Sequence, residues 1–409
     1  MKIISDLQLH SRFSRACSKY ITLDKLEEYA RIKGLNLLVT GDFQHPQWND
    51  EIKKTLKEDE NGILWSKNKF PFLWGTEISL MYSQEGRRAV HLLVYAPNGE
   101  VADQFTDVLG KKGRLDYDGR PIFGMGCPEF VEMTRSISKD IEVVPSHSYT
   151  SFFGVFGSKS GFNSLKECFQ DTTQHIHAIE SGMSADPNMI RLMSDLDKYT
   201  ILSSSDAHSF HPWRLGREAT LFDIKEITSK NILQSIRTGE GVSTIEVDPG
   251  YGKYHVDGHR NCNVVLEPEE TKKVNGICPK CNKPLTVGVL SRALELADRD
   301  EPKNVPEFTS LIPLHELISS VYDIKQLSSK KIGEVYSQLI KNFKNEFNIL
   351  LNVNKEELEK IVSGKLVNVI LKNREGKLNI QAGYDGVYGK VIIEDKDKLQ
   401  KQKSLGEFV

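Results

Sequence analysis

The feature that most constrains the fold is a short apolar run that ends in a polar turn, and it recurs along the first half of the chain. Such runs, rich in Val, Ile, Leu and Tyr, occupy residues 1–5, 35–39, 70–74, 141–144, 175–179 and 198–204. These residue types fit a half-buried pleated surface, which predicts strands. Segments with helical apolar spacing, residues 22–33 and 127–136 among them, lie between the runs. The alternation predicts an α/β fold with parallel strands, and in such barrels the active site is built at the carboxyl ends of the strands.

The most informative turn follows residues 198–204 and contains Asp206 and His208. Residues two apart face the same side of a strand, so we expect both side chains to point beyond the strand end together. A carboxylate and an imidazole suit zinc, manganese or iron. Taken alone, the pair is equally consistent with an Asp cap beside a surface His.

The other turns add residues of the same chemical types. Gln8, His10, Asp42, His45, Glu77, His147 and Glu180 all follow a predicted strand, and His91 lies within a β-like run at 89–95. A single His at a strand end usually has no metal-binding role. Several independent turns that each place His, Asp or Glu there favour a shared metal site.

Composition narrows the class of protein. The chain has 409 residues, with 54 Lys and Arg against 56 Asp and Glu. This length favours two or three domains, and a net charge of −2 gives no overall indication of nucleic acid, so any basic footprint must be local. No apolar run approaches the roughly eighteen residues needed to cross a bilayer. Six Cys are too few for a disulfide framework in so long a chain. We expect a soluble protein of the cytoplasm.

The cysteines cluster in a second candidate metal site. Cys262 is followed, sixteen positions later, by Cys278-Pro-Lys-Cys281. Such paired ligands are typical of a zinc ribbon, and His259 completes the first pair better than His255 because it keeps the spacing of two residues. Four protein ligands leave no open position, so this zinc would be structural. The alternative is three unrelated buried cysteines, as we expect for Cys17, Cys127 and Cys168.

The motifs together resemble a known superfamily. Asp-Leu-x-x-His-Ser at 6–11, Gly-Asp-x-x-His at 41–45, Gly-Thr-Glu at 75–77, Pro-x-His at 145–147 and Ser-Asp-Ala-His at 205–208 are similar to those of the polymerase-and-histidinol-phosphatase (PHP) phosphoesterases. Residues 90–93, 180–186 and 214–218 and the cysteine cluster resemble its endonuclease Q branch more closely, over nearly the whole chain. The resemblance implies a distorted (β/α)7-type barrel and metal-dependent nicking of DNA on the 5′ side of deaminated bases and abasic sites.

By this resemblance, the active site would hold two or three divalent metals: zinc, manganese or magnesium. The implied ligands are Gln8, His10, Asp42, Glu77, His91, His147, Asp206 and His208, among which Gln8, His10, Glu77 and Asp206 are the expected catalytic residues. The first family motif is His-x-His, whereas this chain has Gln8-x-His10. A Gln carbonyl is a poor substitute for a neutral imidazole at a transition metal, so one metal position is weakened or the change was engineered.

A damaged base must leave the stack before it can be read. We expect stacking or wedge residues among Tyr149, Phe152 and Phe153, with Trp213 as a further candidate, although aromatic residues there are at least as often part of a core. Glu180 is expected to orient substrate, and His45 to support a ligand. Arg214 and Arg217 could hold phosphates by bidentate hydrogen bonds, or could form structural ion pairs with Glu218 or Asp223.

The predicted domain order is a PHP domain at 1–248, a zinc ribbon at 249–298, a mostly helical DNA-contacting domain at 299–393 and a tail at 394–409. A Gly-rich loop at 383–389 fits no phosphate-binding motif; it is a structural turn or a loop that faces DNA. In the tail, Gln402, Leu405 and Phe408 resemble a peptide that docks on a sliding clamp, although a frayed terminus is an equal alternative.

Two other functions stay open. A small-molecule phosphatase would share the metal centre but would need neither ribbon nor helical domain. A non-catalytic binder of damaged DNA is made plausible by Gln8. DNA that contains uracil, hypoxanthine, xanthine or an abasic site remains the expected partner.

Overall fold

The computed structural model describes residues 1–393 of the chain. The strands of the first part are β1 (Lys2–Asp6), β2 (Leu37–Val39), β3 (Lys57–Glu58), β4 (Leu64–Trp65), β5 (Pro71–Ser83), β6 (Arg87–Ala96), β7 (Ile122–Phe123), β8 (Glu142–Pro145), β9 (Ala178–Glu180), β10 (Thr200–Leu202), β11 (Ala219–Asp223) and β12 (Val242–Glu246). Its helices are α1 (Leu23–Lys33), α2 (Pro46–Thr55), α3 (Gly99–Gly110), α4 (Cys127–Ile137), α5 (Leu165–Phe169), α6 (Pro187–Ile190) and α7 (Ser229–Thr238). The predicted α/β class is confirmed.

The main sheet is mixed rather than wholly parallel. Its strands follow the order β15 (Phe308–Ser310), β12, β11, β1, β2, β5, β4 and β3, and β6 joins β5 to β8. The pairs β1–β2 and β2–β5 are parallel, as is the separate pair β9–β10. By contrast, β11 runs antiparallel to both β1 and β12. The parallel core places the carboxyl ends of β1, β2 and β5 at one edge, although β5 continues well past it.

A long hairpin differs from the sequence prediction. We expected a strand at 70–74 that ends before Glu77, but β5 runs for 13 residues and places Glu77 in its middle. It pairs antiparallel with β6, so that Glu77 lies opposite Leu93 and His91 opposite Ser79. The first ten residues of β5 are buried, because the hairpin is covered on both faces. The expectation that Glu77 sits at a strand end is therefore wrong.

Helix α1 shows how local signals set the elements. The Thr22 side chain accepts a hydrogen bond from the Lys25 amide, and Leu26 and Ala30 pack into the core. The helix ends at Lys33 and is capped by Gly34, whose φ of 102° favours glycine. A side chain at this position would also meet Asn345 of the C-terminal helices, so a glycine is required for their close approach.

The second part of the chain is mostly helical. Its elements are β13 (Asp257–His259), β14 (Val264–Leu266), α8 (Pro268–Lys273), α9 (Val289–Leu296), β15 (Phe308–Ser310), α10 (Leu314–Tyr322), α11 (Lys330–Phe343), α12 (Glu346–Leu351), α13 (Lys355–Glu359), α14 (Gly364–Arg374), β16 (Asn379–Gln381) and β17 (Lys390–Ile392). Helices α11 and α12 are separate, because Lys344 adopts a φ of 74° between them. Strand β15 pairs with β12 and so joins this part to the main sheet.

The fourfold domain division stays a prediction. The residues of the clamp-like motif, Gln402, Leu405 and Phe408, lie outside the described residues. Among residues 1–393, no helix has both the length and the apolar character needed to cross a membrane.

Candidate metal centre and cleft

Two groups of imidazoles and carboxylates converge at one edge of the sheet. One consists of His10, Asp206 and His208, and the other of Glu77, His91 and His147. Within each group, the potential ligand atoms lie within 4.8 Å of one another. His10 joins the groups, because its Nε2 lies 3.1 Å from Glu77 Oε2 and 3.2 Å from Asp206 Oδ1. Side chains that are up to 198 residues apart in sequence therefore form one centre, as the recurring turns predicted.

Backbone pairing beyond the strand ends brings His10 to the turn that follows β10. The His10 amide donates to Ala207 O at 3.0 Å, and the Ala207 amide donates to Gln8 O at 3.3 Å. Asp206 has a φ of 48° and His147 a φ of 30°, values that are uncommon for residues other than glycine. Strand β10 ends at Leu202, so the turn, rather than strand alternation, brings Asp206 and His208 together. Their juxtaposition was expected, but the predicted cause was wrong.

Asp42 lies behind His10 and not among the grouped ligand atoms. Its Oδ1 lies 3.0 Å from His10 Nδ1. Its Oδ2 accepts hydrogen bonds from the Ser11 amide and the Ser14 hydroxyl at 2.7 and 2.8 Å. Because protein donors engage both oxygens, the carboxylate orients the imidazole and leaves Nε2 free for a cation. Asp42 thus lies outside the two groups, and its role as a ligand stays a prediction.

Gln8 occupies the place where the superfamily motif has His. It is 2% exposed, and its Nε2 donates to Glu77 Oε1 at 2.9 Å and to Ser146 Oγ at 2.7 Å. The carbonyl Oε1 is buried and has no hydrogen-bond partner among the described residues. An orphaned buried carbonyl is costly unless an ion or water satisfies it.

The arrangement fits divalent cations. His10 Nε2, Asp206 Oδ1 and Gln8 Oε1 are all buried and make no hydrogen bond among the described residues. Burial lowers the pKa of His91 to about 4, which keeps this imidazole neutral, the form that binds metal. Burial opposes ionisation of Glu77, but the nearby Arg120 guanidinium outweighs it and holds the pKa of Glu77 well below the ordinary range. His91 and Glu77 are therefore in the protonation states that zinc or manganese requires.

Arg120 is a site residue that we did not predict. Its Nη1 donates to Glu77 Oε2 at 2.9 Å, and its side chain lines the cleft in front of the metal centre. It lies in the loop before β7, in a stretch without metal-binding or catalytic spacing. No local signal could have identified it, because its function depends on contact with Glu77 from a distant strand.

Glu180 lies beneath the centre rather than in the cleft. It is fully buried, and its Oε2 accepts a hydrogen bond from the His147 amide at 2.7 Å. Burial raises its pKa to about 8. Glu180 therefore supports the strained turn at His147, which corrects its expected role in substrate binding. His45 likewise lies outside the groups, where its ring stacks on Phe13.

The centre opens into a cleft of about 490 Å³, a size typical of ligand sites. Its walls include Arg120, Phe152, Arg214, Arg217, Lys253 and Tyr388. Phe152 is 48% exposed, as a wedge residue would need to be. Arg217 Nε donates to Ser205 O at 3.0 Å, and Arg214 Nη1 lies 3.9 Å from Glu316 Oε1.

The other expected aromatic residues face elsewhere. Tyr149 is 1% exposed and packs against Phe156 in the core, so its position does not allow it to stack on a base. Phe153 stacks on His91 with ring centroids 4.3 Å apart and therefore supports a candidate ligand. Trp213 stacks on His211. Of the aromatic residues singled out from the sequence, Phe152 is the one among the described residues that lines the cleft.

The cysteine cluster forms as the spacing predicted. The ligand atoms of His259, Cys262, Cys278 and Cys281 all lie within 4.8 Å of one another. His255 stands outside this group. Burial opposes ionisation of the Cys278 thiol, but the Lys280 and Cys281 amides outweigh it and lower its pKa to about 6. The thiolate that a zinc ion binds is therefore favoured here.

Comparisons with known proteins reach across most of the chain. Residues 313–377 match the family described as the MJ0043 C-terminal domain. MJ0043 of Methanocaldococcus jannaschii is 33% identical over 270 residues, which make up 62% of this chain and 34% of that protein. The chain thus spans about a third of the length of MJ0043. YqxK of Bacillus subtilis is 26% identical over 414 residues and is aligned over 95% of this chain and 99% of its own.

Two solved structures are similar over nearly their full lengths. The lesion-specific endonuclease PfuEndoQ of Pyrococcus furiosus is 29% identical, with a TM-score of 0.87 and complete coverage of both chains. An endonuclease Q in complex with a 27-mer duplex that has an abasic lesion at the active site is 30% identical, also with a TM-score of 0.87. The alignment with this second structure covers 97% of this chain and 98% of the other.

Proposed function

The chain belongs to the endonuclease Q family, and on that premise we propose that it is a metal-dependent endonuclease of DNA repair. It nicks one strand on the 5′ side of deaminated bases, namely uracil, hypoxanthine and xanthine, and of abasic sites. The observation that carries this proposal is the convergence of six imidazoles and carboxylates on a cleft lined by Arg, Lys and aromatic side chains. Charged and stacking groups beside a metal centre suit a damaged nucleotide better than a small phosphomonoester.

The two groups described above would hold two or three divalent cations, with zinc, manganese and magnesium as the candidates. When bound, such cations activate water and neutralise charge on the phosphate. The protein's own contribution is to hold His10 and His147 in fixed orientations through Asp42 and Glu180. Arg120, anchored on Glu77, adds a guanidinium that faces the same cleft. The barrel expected for the superfamily suits this convergence at strand ends.

The cleft walls would bind the displaced nucleotide. Phe152 is the proposed wedge that fills the gap in the stack. Arg214 and Arg217 are proposed to hold phosphates, because a guanidinium matches a phosphate in geometry and charge. Asp223, the alternative ion-pair partner, instead lies 3.3 Å from the N-terminal ammonium group. His259, Cys262, Cys278 and Cys281 would hold one structural zinc and thereby stabilise the ribbon.

The test is a nicking assay with end-labelled duplexes. Each carries one uracil, hypoxanthine, xanthine or abasic site, and manganese, magnesium and zinc are supplied separately. We expect one cut 5′ of each lesion and none in the undamaged duplex. Asp206→Asn should reduce the rate by at least about a hundredfold. The substitution removes a candidate metal ligand, which should cost more than removal of a residue that only orients a ligand. Asp195→Asn, at an exposed carboxylate, is the matched control.

One observation favours a second candidate, a binder of damaged DNA that does not cut. Gln8 presents its amide N–H groups to Glu77 and Ser146 where the superfamily has an imidazole. If the chain and its Gln8→His variant both bind the abasic duplex and neither nicks it with any of the metals, the nuclease proposal is wrong. Faster turnover of a phosphomonoester than of any lesion duplex would indicate a phosphatase instead.

A further inference from the structure

Three cationic side chains gather around one tyrosine in the wall of the cleft. Lys253 Nζ lies 5.1 Å from the centre of the Tyr388 ring, and the Arg214 guanidinium carbon lies 6.0 Å from it. The Arg217 guanidinium lies near the Tyr388 hydroxyl and helps to lower its pKa. All four residues line the cleft that leads to the metal centre. We call Arg214, Arg217, Lys253 and Tyr388 the cationic subsite.

Glycines allow the two chain segments of this subsite to meet. Tyr388 belongs to the Gly-rich loop at 383–389, whose Gly383 amide donates to Gly250 O at 2.8 Å and whose Gly389 amide donates to Tyr251 O at 3.1 Å. A Cβ on Gly383 or Gly389 would lie 2.2 Å from a backbone oxygen of the opposing segment. The Gly-rich loop is therefore a support for Tyr388 and not a cradle for phosphate.

The ring reduces the repulsion among the cations. The face of an aromatic ring attracts ammonium and guanidinium groups, so the Tyr388 ring offsets part of the repulsion among the three cations. Burial opposes ionisation of Tyr388, but Arg217, Lys253 and Arg214 outweigh it and lower the pKa of the hydroxyl. The carboxylate beside the subsite, Glu316, has its Oε1 3.9 Å from Arg214 Nη1, so a single negative charge faces three positive ones. The subsite therefore keeps an excess of positive charge that faces the cleft.

We propose that the cationic subsite binds a backbone phosphate of DNA next to the one that is cut, and that Lys253 and Tyr388 are essential parts of it. The scissile phosphate must reach the metal ligands, whereas these cations are held around Tyr388, so they contact a neighbouring phosphate. Arg217 connects the cationic subsite with the metal centre, because its Nε donates a hydrogen bond to Ser205 O, and Ser205 immediately precedes Asp206. The inference rests on the proposed function insofar as the ligand is DNA.

The experiment measures duplex binding by fluorescence anisotropy over a range of salt concentrations, without added divalent cation so that no strand is cut. Lys253→Met should reduce the slope of log K against log salt by about one, as loss of one phosphate contact does. Affinity should fall to a similar extent for uracil, abasic and undamaged duplexes. Tyr388→Leu should act in the same direction, and Tyr388→Phe less strongly, because the ring is retained.

Lys112→Met is the matched control, since this exposed lysine is paired with Glu129 outside the cleft and its loss should leave the slope unchanged. The proposal is overturned if Lys253→Met and Tyr388→Leu leave the slope unchanged. It is also overturned if they weaken only the uracil duplex, which would mean that the ring reads the base. A protein that binds with the expected slopes but does not nick would retain the subsite and lose the nuclease function. Lys253 is exposed, so its substitution does not endanger the fold.

Discussion

At the scale of single residues, Gln8 distinguishes this chain from the superfamily pattern. Its amide is fixed by two acceptors, Glu77 Oε1 and Ser146 Oγ, and its carbonyl oxygen remains without a partner. Rotation of the amide by half a turn would exchange the two atoms and bring the oxygen beside Glu77. A neutral carbonyl oxygen suits magnesium and manganese better than zinc, which prefers imidazole. The residue at position 8 therefore influences which metal the group of Glu77, His91 and His147 prefers.

The first prediction concerns this preference. Gln8→His should raise the zinc affinity relative to the manganese affinity by on the order of tenfold. This is at least the effect of changing a residue that only orients a metal ligand. Metal content is measured by atomic emission after dialysis against both ions. Ser146→Ala serves as the control, because it releases the amide without adding an imidazole. Equal zinc-to-manganese ratios in the wild type and in Gln8→His would contradict the role assigned to Gln8.

The second prediction concerns Asp42. Because its Oδ1 lies 3.0 Å from His10 Nδ1, Asp42→Asn should weaken metal binding by about 10–100-fold, the usual loss when the partner of a ligating His is removed. Titration with manganese, followed by electron paramagnetic resonance, measures the affinity. Glu51→Gln, which alters an ion pair with Arg12 away from the centre, should have no such effect. An unchanged affinity in Asp42→Asn would show that His10 needs no orienting group.

At the scale of elements, features that depend on neighbouring residues could be predicted from the sequence, whereas features that depend on long-range pairing could not. The turns with His10, His147 and Asp206 could be predicted because a strand and the polar turn after it are adjacent in sequence. The position of Glu77 could not, because the length of β5 depends on pairing with β6. The Gly-rich loop at 383–389 was noted, but the place of Tyr388 in the cleft could not be predicted, since it depends on hydrogen bonds from the loop to residues 250–253. Residue types thus indicated the chemistry, whereas register and long-range packing decided which side chains share the site.

The C-terminal helices are hydrogen-bonded, through Lys33, to the loop that precedes Arg214 and Arg217 in the cleft wall. Lys33 Nζ donates to Pro212 O at 2.9 Å and to Glu346 Oε1 at 2.7 Å, and both side chains are nearly completely buried. Glu346 also accepts hydrogen bonds from the Leu314 amide and the Tyr336 hydroxyl. One buried ion pair therefore connects α1, α12 and the loop before Arg214.

The third prediction separates the charge pair from its hydrogen bonds. Lys33→Met should destabilise the fold by about 3–5 kcal/mol, because it leaves Glu346 buried and uncompensated. Lys33→Met combined with Glu346→Gln should recover most of this loss, since a neutral amide still serves Leu314 and Tyr336. Urea unfolding followed by circular dichroism gives both free energies of unfolding. A double variant as unstable as the single one would mean that the contact with Pro212, rather than the charge, dominates.

At the scale of the whole molecule, buried carboxyl groups lie in and beside the main sheet. Glu246 is fully buried and accepts hydrogen bonds from Thr244, Ser181 and Ser203. Burial raises its pKa from 4.5 to about 7. Burial and the nearby Glu246 also raise the pKa of Glu218. Such groups make the stability of the whole fold depend on pH.

The fourth prediction follows from the sign of this shift. Between pH 4.5 and about 7 the unfolded chain has lost the Glu246 proton while the folded chain retains it, so the free energy of unfolding falls as pH rises. The loss is complete above about pH 7 and amounts to about 3 kcal/mol for a shift of this size.

Glu246→Gln removes the ionisation but keeps the hydrogen-bonding shape. It should therefore stabilise the protein at about pH 8 and have little effect near the ordinary carboxyl pKa, as urea unfolding at both pH values will measure. Glu240→Gln, at an exposed position in the turn after α7, should show no such dependence. An equal effect of Glu246→Gln at both pH values would mean that Glu246 is ionised in the folded state.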